Sequence, residues 1–412
     1  MSTSGEVPEY TDNPWIRRLP ILVLSHVVGT LNVVSVMSMA PVISGRFELS
    51  AALFGTFVSA YYGAQATGSL PAGGITDRFG IGRALVVAHC MMIVGALTIA
   101  FADGYAVCIA AMACMGLGYS MTNPSTARGV LDWFPAKRRG LAMGLKQVGV
   151  PIGGVLAAGN GALAAIYDWQ SLMLGVAVLI ALNGLLCVSL FRFDRQLPPE
   201  QRRNPIANIG EVFRDRNFNI YTVLSGMLNA GQTNFFGFLT LFLTEAARAS
   251  QPMAGFAMGL AQTTSALARV GWGMVSDRAF GGRRAVLKAW ICAAAAILLA
   301  AMALVAILGK AGSGATLWLG LAFTAGLGIT IASFAPVGQA IAVEAVEPRL
   351  AGSAVGYNMV GVHIGGFLGP VMFGAAMDAA GGNWTAGWLT TAAVTALGVV
   401  LLVFAFREGR RS

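Results

Sequence analysis

Gly73-Gly74-Ile75-Thr76-Asp77-Arg78-Phe79-Gly80-Ile81-Gly82-Arg83 and Gly273-Met274-Val275-Ser276-Asp277-Arg278-Ala279-Phe280-Gly281-Gly282-Arg283-Arg284 lie two hundred residues apart, one in each half of the chain. Each follows a long apolar stretch and precedes another. A polar loop repeated at this distance in an apolar background predicts two related bundles of membrane helices, the arrangement in which one repeat rocks against the other.

Working outward from the two loops, the rest of the chain supports that reading. Of its 412 residues, 56% are hydrophobic and 11% charged. Apolar runs of about twenty residues recur, each long enough to cross a bilayer. A water-soluble fold has no way to give so many uncharged helices a polar face. The runs predict twelve spans at 19–44, 51–74, 83–102, 105–130, 140–166, 171–191, 218–244, 253–276, 285–308, 316–343, 350–377 and 385–406. The expected fold is therefore an all-α membrane protein whose twelve transmembrane helices form two pseudo-symmetric six-helix bundles, 19–191 and 218–406. A tail, 1–18, a linker, 192–217, and a second tail, 407–412, complete the chain. The linker holds Pro198, Pro199 and six arginines. The 53 glycines suit membrane helices, where small residues let backbones approach. Cys90, Cys108, Cys114, Cys187 and Cys292 fall inside apolar spans, so no disulfide and no metal site is expected.

The net charge of +9 follows from topology rather than from nucleic-acid binding. With the N-terminus inside, 22 of the 27 Lys and Arg residues fall on cytoplasmic segments, leaving Arg46, Arg248 and Lys310 outside and Lys146 and Arg269 within the membrane. The positive-inside rule then makes both termini and the linker cytoplasmic. Trp15, Trp133, Trp169, Trp318 and Trp384 sit near span ends, where an interfacial aromatic belt is expected.

In the first loop, Gly73 and Gly74 permit close helix contact and Asp77 can cap the next helix or pair with a base. Arg78 and Arg83 can reach carbonyls or acids, latching the cytoplasmic side. Gly273, Asp277, Arg278 and Arg284 are the pseudo-symmetric set. Within the spans no Asp or Glu is found, whereas Arg269, Lys146, His26, His89 and His363 are embedded. A buried cation is costly without a counter-ion, and a transported anion can supply one. Arg269 stands eight residues before Asp277, about 12 Å of helical rise and thus near the middle of the bilayer. A guanidinium there can hold a carboxylate bidentately, or it can bond backbone carbonyls. Lys146 can line a cavity or snorkel to the interface. His363 can carry a titratable charge or bond neutrally between helices. Tyr61, Asn32, Asn229, Gln232, Gln262 and Asn358 are the remaining candidate substrate ligands, each alternatively interhelical glue.

These loops resemble the Gly-x-x-x-Asp-Arg-x-Gly-x-x-Arg signature of the major facilitator superfamily, and the twelve-span plan resembles it along nearly the whole chain. Trp133-Phe134-Pro135 with Arg138-Arg139-Gly140 is similar to the segment joining helices four and five in organic-anion members. Gly149-Val150-Pro151-Ile152-Gly153-Gly154 is similar to an antiporter element that Val150 interrupts. Met112 stands where many proton-coupled members have an arginine, so that arginine's role is not carried over. Arg269-x-x-x-Gly273-x-x-x-Asp277 resembles the eighth helix of monocarboxylate carriers and oxalate–formate exchangers, where the arginine is linked to the carboxylate substrate; His363 falls roughly where oxalate exchangers have a lysine. The resemblance implies a non-enzymatic, monomeric secondary transporter of the bacterial cytoplasmic membrane. It needs no cofactor and carries a small organic anion with a proton or in exchange for a counter-substrate. The rival expectation is an efflux carrier for neutral or amphiphilic compounds.

Overall fold

The computed structural model describes residues 13–135, 138–194, 209–280, 283–312, 315–347 and 350–408, without the side chains of residues 70, 209, 277, 351 and 352. Twelve membrane helices follow in order. The first bundle comprises Leu19–Ser38, which bends at Met39 into Ala40–Arg46, then Ala51–Phe79, Ile81–Ala100, the two-piece Tyr105–Ser120 and Thr122–Trp133, Arg139–Leu163 and Trp169–Val188. The second comprises Arg216–Ala246, Gln251–Ala279, Arg284–Lys310, the two-piece Thr316–Ile329 and Ala335–Glu344, Ala351–Ala379 and Trp384–Phe404. Below, these are the first to twelfth helices.

Local chemistry sets the boundaries. Ser50, Asp168, Asp215 and Asn383 cap the second, sixth, seventh and twelfth helices by accepting from amides of their first turns. The third and ninth helices are capped from a distance. Asp194, just beyond the sixth helix, accepts from the amides of Gly82 at 2.6 Å and Arg83 at 3.2 Å. Glu408, just beyond the twelfth, accepts from Ala285 at 3.1 Å. Gly80 makes the first arrangement possible: its φ is +94°, and a Cβ there would strike the Asp194 side chain. Asp77 therefore does not cap the third helix, as the loop sequence suggests it can; Asp194 does.

Proline explains the two-piece helices. Pro124 and Pro336 lie in the first turn after each break and have no N–H, so they leave the carbonyls four residues earlier, Ser120 and Ala332, without their helical donors. In the tenth helix the gap spans residues 330–334.

Eight of the helices are long and apolar enough on their own to cross a membrane. The second, seventh and eighth are less apolar because they carry Tyr61, Tyr62, Gln65, Asn229, Gln232, Asn234, Gln262 and Arg269, side chains that are buried or partly buried. Lipid-facing apolar residues such as Val94, Leu185, Ile297 and Leu397 are exposed on the outer helices. The bundles meet where the second helix packs on the eleventh and the fifth on the eighth.

That junction is closed at one end only. Away from the linker, Thr240 donates to the Met37 carbonyl at 2.7 Å, and Gln251 donates to the carbonyls of Ser38 and Gly161 at 3.1 and 2.8 Å. There a Cβ on Gly374 would meet Ala52, and one on Gly255 would meet Ala162. Toward the linker, Cβ atoms on Gly73, Gly74, Gly273 and Gly356 would meet nothing within 4 Å. The close contact expected of Gly73 and Gly74 is thus not made, because the helices diverge at that end. The aromatic belt is also corrected. Trp133, Trp169 and Trp384 are buried, the last among Phe238, Phe242 and Phe373, while Trp318 is exposed.

Candidate substrate site

Arg269 lies on the eighth helix about 15 Å of helical rise from its Ala279 end, at the level of the tenth-helix break. It is half-buried. Its Nη2 donates to the Ala332 carbonyl at 3.1 Å, while its buried Nε has no acceptor among the described residues. No described carboxylate pairs with it; the described ion pairs join Arg128 to Asp77 and Asp132, and Arg284 to Glu344. The freed Ala332 carbonyl also accepts from Gln232 Nε2 at 3.1 Å and Ser265 Oγ at 2.8 Å.

Across the bundle junction Arg269 faces the Tyr119 hydroxyl, within electrostatic reach. Tyr119 is the penultimate residue of the first piece of the fourth helix, two residues before the break at Met121. It hydrogen-bonds Thr30 at 3.3 Å and stacks on Tyr61 with ring centroids 6.5 Å apart. Tyr61 in turn meets Tyr62 edge-on at 5.2 Å, and Tyr62 lies 6.5 Å from the His363 ring. The buried Tyr61 hydroxyl and both polar side-chain atoms of Asn32 have no hydrogen-bond partner among the described residues. Orphaned polar atoms at this level are what a polar ligand would satisfy. Sequence reasoning passed over Tyr119, Thr30 and Ser265; the signal for Tyr119 was its place five residues before Pro124.

Of the other candidates, Asn229, His363 and Lys146 are hydrogen-bonded, while Gln262 and Asn358 are buried. Asn229 donates to the Val362 carbonyl at 2.8 Å, tying the seventh helix to the eleventh. Gln262 is buried against Gly154, whose missing side chain makes room for it. Asn358 is buried, with its Oδ1 lacking a donor. His363 Nδ1 is 3.2 Å from Ser69 Oγ, joining the eleventh helix to the second across the junction. Lys146 neither snorkels nor meets water: it is 2% exposed and donates to Asn123 Oδ1 at 2.8 Å and Thr126 Oγ1 at 3.1 Å. His26 shares Thr126 at 3.0 Å, and His89 is held by the Leu85 carbonyl and by Asn183.

The repeated loops act within their own bundles. Asp77 pairs with Arg128 of the fourth helix at 2.8 Å, and Arg128 also grips Asp132 at 2.8 Å. Arg83 Nη1 donates to the Phe79 carbonyl at 3.4 Å, and Arg78 lies over the Phe79 ring. In the second bundle Arg284 pairs with Glu344 of the tenth helix at 2.8 Å. Arg278 is exposed, whereas the Asp277 side chain, Gly281 and Gly282 lie outside the described residues. Among the described residues no ion pair or hydrogen bond joins the two loops, which stand apart at the open end. Lys288, placed with the loop charges by its sequence position, is 1% exposed instead. It donates to Tyr221 Oη at 3.0 Å, with the Tyr221 and Phe334 rings 4.6 and 5.4 Å away.

Relatives of known sequence and structure share this architecture. The chain is 27% identical over 188 residues to a hexuronate transporter of Bacillus subtilis (strain 168), a match spanning only 44% of each protein's length. It is 24% identical over 354 residues to multidrug resistance protein MdtH of Aeromonas hydrophila, covering 82% of each. A solved D-xylose-proton symporter superposes with a TM-score of 0.79 at 14% identity, over 96% of this chain and 99% of that one. The sequence profile of the Major Facilitator Superfamily matches residues 22–245 and again 222–412, so this chain, a multi-pass membrane transporter and not an enzyme, belongs to that family.

Proposed function

We propose that this transporter carries a small organic anion of monocarboxylate type across a bacterial cytoplasmic membrane by alternating access, as a monomer, through proton symport or anion exchange. One observation carries the reading: Arg269 is a cation at mid-depth with no described carboxylate partner and with a buried donor, Nε, that no described residue fills. A substrate carboxylate satisfies that donor and neutralises the charge, which lowers the cost of closing the site around it. Tyr119, Tyr61 and Asn32 offer hydroxyl and amide groups to the rest of the molecule. The likeness to hexuronate transporters supports this, since a hexuronate is a sugar bearing one carboxylate. The excess of Lys and Arg at the linker end supports a cytoplasmic orientation for it, so that the open cleft faces the cytoplasm.

The longer match to a multidrug resistance protein favours a second reading, efflux of neutral or amphiphilic compounds. Proteoliposome uptake of labelled glucuronate, lactate, formate and oxalate separates the two. Saturable uptake of a carboxylate that disappears in Arg269→Ala is the expected result. Transport of amphiphiles alone, or carboxylate uptake that survives Arg269→Ala, overturns the anion reading.

A further inference from the structure

Three side-chain donors converge on a single backbone oxygen in the tenth helix. Pro336 leaves the Ala332 carbonyl without its helical N–H, and Gln232, Ser265 and Arg269 all bond it, at 3.1, 2.8 and 3.1 Å. A carbonyl oxygen has two lone pairs. One of the three donors is therefore surplus, and Arg269 is the one with another task.

The guanidinium edge formed by Nε and Nη2 is one of the two that fit a carboxylate with paired hydrogen bonds. Nη2 is on Ala332, whereas Nε has no acceptor. Along this edge a carboxylate takes Nε and the Nη2 hydrogen beside it, and where that hydrogen is the one Ala332 holds, completing the pair draws Nη2 off the carbonyl. If Arg269 were the only donor there, its departure would orphan a buried acceptor, which is costly. With Gln232 and Ser265 in place both lone pairs stay satisfied. The eighth helix also remains fixed to the break through Trp272 Nε1, which donates to the Ile329 carbonyl and to Ser333 Oγ, each at 2.9 Å.

We infer that Arg269 is a two-position side chain, parked on the Ala332 carbonyl without substrate and transferred to the substrate carboxylate on binding. Gln232 and Ser265 are positioning residues that keep the vacated carbonyl satisfied. Gln232, in this account, acts on the arginine's parking place and not on the substrate. The inference rests on the anion reading above and deepens it. It ties anion binding to the tenth-helix break, since each transfer changes the number of bonds that hold residues 330–334.

The test uses the purified full-length protein, with D-glucuronate, lactate and oxalate as probes in thermal-stabilisation titrations and in proteoliposome uptake. The variants are Ser265→Ala, Gln232→Ala, the double variant and Arg269→Ala. Each single substitution is expected to weaken binding of the preferred anion by less than about threefold, and the double by about tenfold, more than the product of the singles, because only the double makes release of Arg269 orphan the carbonyl. The loss should appear in Kd and KM with maximal velocity within about twofold, a split that general destabilisation does not produce. Double-variant binding equal to wild type, with Arg269→Ala inactive, overturns the two-position inference and leaves the anion reading standing. Gln232→Ala alone losing as much as the double also overturns it, by making Gln232 a direct substrate ligand. If the wild type neither binds nor takes up any of these carboxylates, the anion reading itself fails and the inference falls with it.

Discussion

The two bundles each bury a cation beside the broken fourth helix of the repeat, yet they treat it in opposite ways. In the first bundle Lys146 is sealed at 2% exposure, bonded to Asn123 and Thr126 just past the break at Met121. In the second, Arg269 bonds the carbonyl inside the break, remains half-buried, and keeps Nε empty. Neutral oxygens anchor both, and no described carboxylate neutralises either cation. The difference lies in how completely each is satisfied. A cation held by two neutral acceptors and shut from water holds a scaffold together, whereas one with a single acceptor and an unfilled Nε can take a ligand. The comparison teaches that burial of charge in a membrane bundle is not by itself a sign of a binding site; the unfilled donor is the discriminating feature.

The largest expected effect tests that asymmetry directly. Arg269→Ala should reduce carboxylate uptake by more than about a hundredfold, because a charged, desolvated bidentate contact is worth several kcal/mol. Arg269→Lys should recover only part of it, since a point charge cannot make the paired bonds. Comparable uptake loss in Lys146→Met would break the comparison. That variant instead leaves Asn123 Oδ1 without its close donor, and is expected to cost about 2 kcal/mol of stability, read as a lower thermal midpoint with KM little changed.

Arg128 sharpens the contrast as a cation that does have carboxylates, Asp77 and Asp132. Arg128→Gln leaves two partly buried carboxylates facing each other, and should lower stability by about 2 kcal/mol. The smallest effect concerns the matched caps. Asp194→Asn keeps one acceptor but sets an N–H against the second amide that the carboxylate accepts from, at a cost of about 1 kcal/mol by chemical or thermal denaturation in detergent. Burial raises the Asp194 carboxyl above its ordinary value of 3.8 despite the amides it caps. The folded state therefore holds its proton more tightly than the unfolded chain, and this group's contribution to stability falls as pH rises from 3.8 through the raised value. Asp194→Asn should remove that slope.

Much of the frame was readable from residues alone. The paired Asp77-Arg78 and Asp277-Arg278 loops, with apolar runs on either side, imply two helical repeats because no other structure satisfies backbone groups across so many apolar segments. Arg269 was readable too, from its place eight residues before Asp277 and from the absence of acids in the spans. Its symmetric counterpart, eight residues before Asp77, is Ser69, which bonds His363 across the junction. That pairing could not be read, since nothing local links residues almost three hundred positions apart. The burial of Lys288 is likewise a matter of packing: it stands one helical turn from Arg284, and Tyr221 and Phe334 enclose it. Pro124 and Pro336 did mark the helix breaks in the sequence, but what the freed carbonyls bond depends on helices elsewhere in the chain.

The sequence by itself determined the membrane setting, the twofold plan and the cation at mid-depth, because hydropathy, loop repetition and helical rise are properties of a chain read in order. Tertiary structure alone decided which cation is satisfied and which is not, that Asp194 and Glu408 rather than the loop aspartate cap the following helices, and that the junction is open at the linker end. These depend on which distant groups meet, and a hydrogen bond's partner is set by packing in three dimensions rather than by position along the chain.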